Sequence, residues 1–173
     1  MSTRNSLTSD ALFSLVKEVA GSLVQEEKLD GPDPFVVLRP DGLEKAGGPF
    51  VELMRFLRDD ERPFFDFLSC ITGVDYPDRQ VIEVIYCLDS TVHLHRLIIK
   101  VPLPRSEPRI ATVEGLWRTA DWHERETFDL LGVIFEGHHN LVRILCAEDW
   151  IGHPLRKDYV APDTYHGVKN VVY

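Results

Sequence analysis

The chain has 173 residues, 44% of them hydrophobic, which is enough apolar material for one core that buries roughly 70% of the unfolded surface. Nineteen basic residues against 28 acidic leave a net charge of −9, which argues against nucleic acid or an anionic membrane surface as a direct partner. No uncharged apolar run approaches the roughly 18 residues of a membrane span, and Asp10 and Lys17 stand where a signal peptide has its apolar core, so a cytoplasmic chain is expected.

Taken in order, Leu12, Leu15, Val16, Val19, Leu23 and Val24 recur at three- and four-residue spacing, which predicts a helix with one buried face and Ser9 as its cap. Gly31, Pro32, Asp33 and Pro34 close a linker, residues 35–38 form a short apolar strand, and Arg39-Pro40-Asp41-Gly42 is a turn. Pro49 suits a first helical position, and Phe50, Leu53, Met54 and Leu57 make the stripe of a second helix that the run at 59–63 breaks. Residues 64–71 and 81–88 are rich in aromatic and β-branched side chains and read as central strands, joined through Gly73 and Tyr76-Pro77-Asp78. After a break at 89–91, residues 92–101 alternate, with His93, His95, Leu97, Ile99 and Val101 on one face, until Pro102 and Pro104 end the strand. A short helix over 113–117, capped by Thr112, leads to a charged helix. The fold class is therefore α+β: a mixed or antiparallel sheet of four to five strands packed with helices, followed by an extended irregular carboxyl-terminal tail.

In the charged helix each residue turns about 100°, so Ala120, Glu124, Phe128 and Leu131 share one face while Asp121, Arg125 and Asp129 stack on another. Glu124 thus falls on the apolar side, where an unpaired carboxylate costs several kcal/mol, and it must find a cation or a hydrogen-bond donor. Arg125 has an acid four residues away in both directions, so its own helix can pair it. Gly132 is the stop signal and residues 133–135 form a brief strand. Periodicity then ends. Gly137-His138-His139-Asn140 is a turn, residues 142–145 are a candidate short strand, and Gly152-His153-Pro154 prevents a helix. A stretch this irregular cannot satisfy its own backbone, so it lies on the surface or under another protein. The expected organisation is an α+β domain over 1–137 and a docking tail over 138–173. The tail's anchors are Trp150, Leu155, Tyr159, Tyr165 and Tyr173, with the basic pair Arg156-Lys157 beside Tyr159.

Several pieces of this region combine into a pattern: Glu124-Arg125-Glu126, Asp129-Leu130-Leu131-Gly132, Phe135-Glu136-Gly137-His138, Arg143-Ile144-Leu145, Trp150, and Gly152-His153-Pro154-Leu155-Arg156-Lys157-Asp158-Tyr159. Together, over about 38 residues, they resemble the signature of the 30 kDa subunit family, the C subunit of respiratory complex I, the proton-pumping NADH:quinone oxidoreductase. His139 stands where that family usually has Pro, and Val142 where it usually has a basic residue. The resemblance implies a cofactor-free structural subunit of the peripheral hydrophilic arm, with NADH, FMN, iron–sulfur clusters and quinone held by other subunits. It implies other hydrophilic-arm subunits as partners, above all the quinone-pocket subunit, and a peripheral place on the cytoplasmic face of the bacterial inner membrane. Contact with the membrane would come only through the complex. Glu124, Arg125, Glu126, Asp129, Gly132, His138, Arg143, Trp150, His153, Pro154, Arg156, Lys157, Asp158 and Tyr159 would then be signature residues and contacts between subunits, with no catalytic role. The equivalent subunit of a related membrane-bound hydrogenase is a variant of the same reading.

Read by themselves, the residues offer little catalysis. Cys70, Cys87 and Cys146 are 17 and 59 positions apart, too dispersed for an iron–sulfur cluster, and fit buried thiols in a reducing compartment. Gly47-Gly48 is not a nicotinamide or flavin fingerprint, and neither a Walker loop nor a nucleophile elbow occurs. His93 with His95, and His138, His139 and His153 with Asp149 and Asp158, are candidate ligand groups, but without helical or paired-cysteine spacing they read as hydrogen-bonded histidines and no metal is expected. The opposing class is a free-standing metal-dependent hydrolase that uses those histidines, with Glu124 or Asp129 as base.

Overall fold

The computed structural model describes residues 6–28 and 33–169. Gly31, Pro32 and Tyr173 lie outside the described residues. Helix α1 (Ser9–Ala20) is capped by Thr8, whose side chain accepts the Ala11 N–H, one residue before the expected cap. Its buried stripe is Leu12, Phe13, Val16 and Ala20, continued by Leu23 in a 3-10 turn, whereas Val19 faces solvent. Val24 opens strand β1 (Val24–Lys28) where the periodicity predicts helix. Gln25, Glu26, Glu27 and Lys28 are all exposed, so this charged edge strand carries no apolar alternation to announce it.

One five-stranded mixed sheet carries the core, in the order β1, β2 (Phe35–Leu38), β5 (Arg96–Pro104), β4 (Val81–Asp89) and β3 (Phe67–Tyr76). Strand β2 runs parallel to β5, and every other pair is antiparallel, including the long hairpin of β3 and β4. Register puts Leu88 opposite Leu97, Tyr86 opposite Ile99, Val84 opposite Val101 and Ile82 opposite Leu103, and all eight are buried. Against that core pack α1 and α2 (Pro49–Asp59), the latter through Phe50, whose ring lies 5.5 Å from that of Tyr86. Each such fully buried side chain contributes roughly 1.5–3 kcal/mol. This is the α+β architecture expected from the sequence.

Several boundaries differ. Residues 64–66 belong to the turn after α2, where Phe64 takes φ 35° and the Phe65 N–H donates to Leu57 O. Gly73 lies within β3, where a Cβ would stand 2.4 Å from Leu131 Cδ1, so it marks the crossing of helix α3 (Thr119–Leu131) over the strand instead of a loop. The strand expected from residue 92 starts at Arg96, because Leu94 at φ 59° turns the chain; His93 and His95 still stack, with ring centres 5.6 Å apart. Pro102 and Pro104 sit inside β5, beyond Lys100, the last residue that β2 pairs. Residues 113–117 form a single turn and not a helix: Thr112 Oγ accepts the Glu114 N–H, as a cap does, but Gly115 follows at once. Strand β6 (Arg109–Ala111), which the sequence does not announce, pairs in parallel with β7 (Ile134–Glu136). Residues 142–145 are not a strand, because their amides are turned to another partner, described next. A small hairpin of β8 (Thr164–Tyr165) and β9 (Val168–Lys169) follows.

Candidate functional site

Helix α3 is held between the sheet and the carboxyl-terminal segment, so two of its faces are covered. On the face away from the expected apolar stripe, Asp129 is fully buried. Its Oδ2 accepts the consecutive N–H groups of Ile144, Leu145 and Cys146 at 3.0, 2.8 and 2.8 Å, and its Oδ1 takes Arg143 Nη1 at 2.6 Å. Burial by itself would raise this carboxyl's pKa, but the three amides and the guanidinium outweigh it and hold the pKa at about 2. Arg143 also donates to Gly152 O, and the His153 ring donates from Nδ1 to Asp129 O at 2.9 Å. One ionised aspartate therefore organises residues 143–153.

The expected face holds Glu124, also fully buried. Its Oε1 accepts the Val113 N–H at 2.8 Å and its Oε2 meets the Thr112 hydroxyl. The His138 ring approaches it no closer than 3.9 Å, at Nε2. Here burial wins and pushes the carboxyl up to about 8, against the pull of Thr112 and Val113. The two buried acids of one helix are thus in opposite charge states at neutral pH.

Arg125 does not pair with Asp121 or Asp129, the acids four residues away in its own helix. It donates to Val142 O and Arg143 O at 3.2 and 3.4 Å and lies over the Trp122 ring, because the carboxyl-terminal segment offers carbonyls where its helix neighbours are turned elsewhere. Glu126 is exposed beside Cys70 and Leu155. Gly132 closes α3 at φ 77°, and a Cβ there would meet His153 Nε2 at 2.6 Å and Arg156 Nη2 at 2.9 Å. Arg156 donates to Leu131 O, and Leu155 N–H to Leu130 O. The Lys157 N–H reaches Asp75 Oδ2, a buried β3 carboxylate that Arg105 clamps at 2.7 and 3.0 Å, and Arg105 also holds Asp158 at 2.6 Å. Those bonds to Arg105 and Lys157 hold the Asp75 carboxyl below its ordinary range. Pro154 is half-buried in this turn; Tyr159 packs on Gly152, and Trp150 lies 5.0 Å from Tyr165.

This arrangement meets its likeness among known proteins. Residues 47–165 match the family model described as respiratory-chain NADH dehydrogenase, 30 Kd subunit. The chain belongs to this family. It is 50% identical over 158 residues to the C subunit of the NADH-quinone oxidoreductase of Chloroherpeton thalassium, covering 91% of this chain and 63% of that protein. Against the C subunit from Chlorobium phaeobacteroides it is 39% identical over 160 residues, covering 92% of this chain and 93% of the other. The trypsin-resistant fragment of Nqo5 superposes with a TM-score of 0.59 at 29% identity, over 75% of this chain and 98% of the fragment.

Among the residues that carry the resemblance, Asp129, Gly132, Arg143, His153 and Arg156 come together as one unit. Asp75 and Arg105 join it through Lys157 and Asp158 and are missed by sequence reasoning, where only Asp75, a lone acid late in an apolar strand, gives a signal; Thr112, expected as a cap, also bonds Glu124. The candidate group of His138, His139 and His153 with Asp149 and Asp158 is dispersed: His153 binds α3, Asp149 holds Tyr165 and His166, and Asp158 binds Arg105. His138 and His139 instead face Glu114 and Asp121.

Proposed function

We propose that this chain is a structural subunit of the peripheral arm of an NADH:quinone oxidoreductase, holding the frame in which neighbouring subunits carry electrons from NADH to quinone. Its own residues bind none of the redox groups in this reading: NADH, FMN, iron–sulfur clusters and quinone belong to the neighbours. The observation that carries the reading is residues 138–169, tied to α3 by buried bonds on one side while Leu145, Ile151, Leu155 and Val160 stay 54–85% exposed on the other. Such apolar surface, rimmed by Arg156 and Lys157, fits a protein partner, and the quinone-pocket subunit is the partner we assign. Among the described residues no helix is long and apolar enough to cross a membrane, which suits a subunit that reaches the cytoplasmic face of the inner membrane through the complex. The relatives carry the name of a quinone oxidoreductase subunit, which favours this reading over a hydrogenase subunit.

A free-standing hydrolase is not favoured. Asp129 spends its lone pairs on four donors, Glu124 has no exposure, and His95 uses both ring nitrogens, accepting the Leu7 N–H and donating to Pro63 O. Affinity purification from native membranes tests the proposal. Wild type is expected to co-elute with flavin- and cluster-bearing chains, and the folded double variant Ile151→Asp, Leu155→Asp to elute alone. Full co-elution of that variant would refute the docking surface.

A further inference from the structure

At the start of the carboxyl-terminal segment, Glu114 from the 113–117 turn, Asp121 from the first turn of α3, and His138 and His139 converge. One ligand atom from each lies within 4.8 Å of all the others. We propose that these four side chains form a binding site for a zinc-class divalent cation that clips the segment to α3.

The geometry supports this in three ways. His138 Nε2 stands 3.4 Å from a Glu114 oxygen and 3.4 Å from Asp121 Oδ1. Those separations are too long for charge-assisted hydrogen bonds, yet they match the ~3.4 Å edge of a tetrahedron whose corners lie ~2.1 Å from a central zinc. Asp121 Oδ1 is buried and has no hydrogen-bond partner, an oxygen left aimed into the cluster. The donor set, two carboxylates and two imidazoles, neutralises a dication and is the mixed nitrogen and oxygen set such ions take. A groove of about 480 Å³ beside it, lined by Glu114, Asp121, Trp122 and His139 among others, admits the ion from solvent.

Loading rearranges three hydrogen bonds, the first being the one that His138 Nε2 donates to Asp121 O at 3.3 Å, which gives way to the ion. His139 Nδ1 now meets Glu114 Oε2 at 2.6 Å, and the proton shared there leaves to solvent as the nitrogen turns to the ion. His138 Nδ1 now accepts the Asn140 N–H at 3.1 Å, which places the ring proton on Nε2; that proton moves to Nδ1, and the Asn140 amide swings away in the turn after Gly137, itself at φ 85°. Glu114 and Asp121 are remote from the histidines along the chain, so sequence spacing does not announce this group.

The test uses the full chain, freed of any affinity tag and washed with chelator. Titrated with Zn2+ in calorimetry, it is expected to bind one ion and release about one proton, and Co2+ in its place to give the intense visible bands of tetrahedral coordination. His139→Ala, at an exposed ring, and Asp121→Asn should each weaken Zn2+ binding roughly tenfold or more. His166→Ala, which removes an exposed histidine–aspartate pair elsewhere, should leave it unchanged. Affinity unaltered by both cluster variants, with folding verified by circular dichroism, would overturn the proposal, as would the absence of saturable uptake in the millimolar range.

Discussion

Replacing Glu124 by Gln isolates the cost of keeping an acid in the α3 core. The amide copies the protonated carboxyl: its oxygen accepts the Val113 N–H and its NH2 faces Thr112 Oγ. Glu124 titrates at about 8 in the folded chain against an ordinary value of 4.5. A pKa raised by folding contributes stability that is fully present below 4.5 and is lost as the pH climbs through 8, because the unfolded carboxyl ionises first. At about 1.4 kcal/mol per unit, wild type forfeits about 3 kcal/mol by pH 7 and about 5 kcal/mol above pH 8.5, whereas the Gln variant forfeits none of it. Because Glu124 has no solvent exposure, no screening discount applies. Urea unfolding of both proteins across pH 4.5–8.5 reads the difference, since every other ionisable group is common to the two. The two curves should meet near pH 4.5 and separate in favour of Gln as the pH rises. Parallel curves would refute the burial argument and mean that Thr112 and Val113 keep Glu124 ionised.

Three further outcomes follow from the same region. Asp129→Asn leaves Arg143 and three amides facing an NH2 group and should cost about 3 kcal/mol at pH 7 by urea unfolding. Because folding depresses this pKa to about 2, the deficit against wild type should shrink as the pH falls from about 4 through 2. Arg125→Ala should cost only about 1 kcal/mol and do so independently of salt, as its partners are carbonyls and a ring; a loss near 3 kcal/mol that vanishes in salt would restore its pairing with the acids of its own helix. Gly132→Ala adds a strained left-handed residue and a Cβ against His153 and Arg156. Hydrogen exchange should then show the amides of Ile144, Leu145 and Cys146 unprotected while β4 and β5 keep their protection; unchanged protection of those three would show that the segment does not depend on this close approach.

How far the sequence reaches is plain in particular residues. Pro49 and Gly132 punctuate helices because one fixes φ and the other tolerates φ 77°, which are properties of single residues. The stripe Phe50, Leu53, Met54 and Leu57 and the alternation through β4 are periodic, so they are legible, and the signature from Glu124 to Tyr159 identifies the family from residue order alone. By contrast, β1 escapes because its side chains are exposed and charged, and Gly73 reads as a loop because nothing local shows that Leu131 will cross it.

Helix α3 marks the limit. Its 100° spacing places Glu124 on an apolar face, as found, and Asp129 on another face, but does not show that this second face is buried too. One period describes one buried face, and this helix has two, the second supplied by residues 143–156 folding back over it. Charge state obeys the same division. The sequence determines which two acids α3 carries; whether each is ionised depends on the donors that tertiary structure delivers. Asp129 receives three amides and an arginine from the segment beyond the helix and stays charged, while Glu124 receives one amide and a hydroxyl in a dry core and holds its proton.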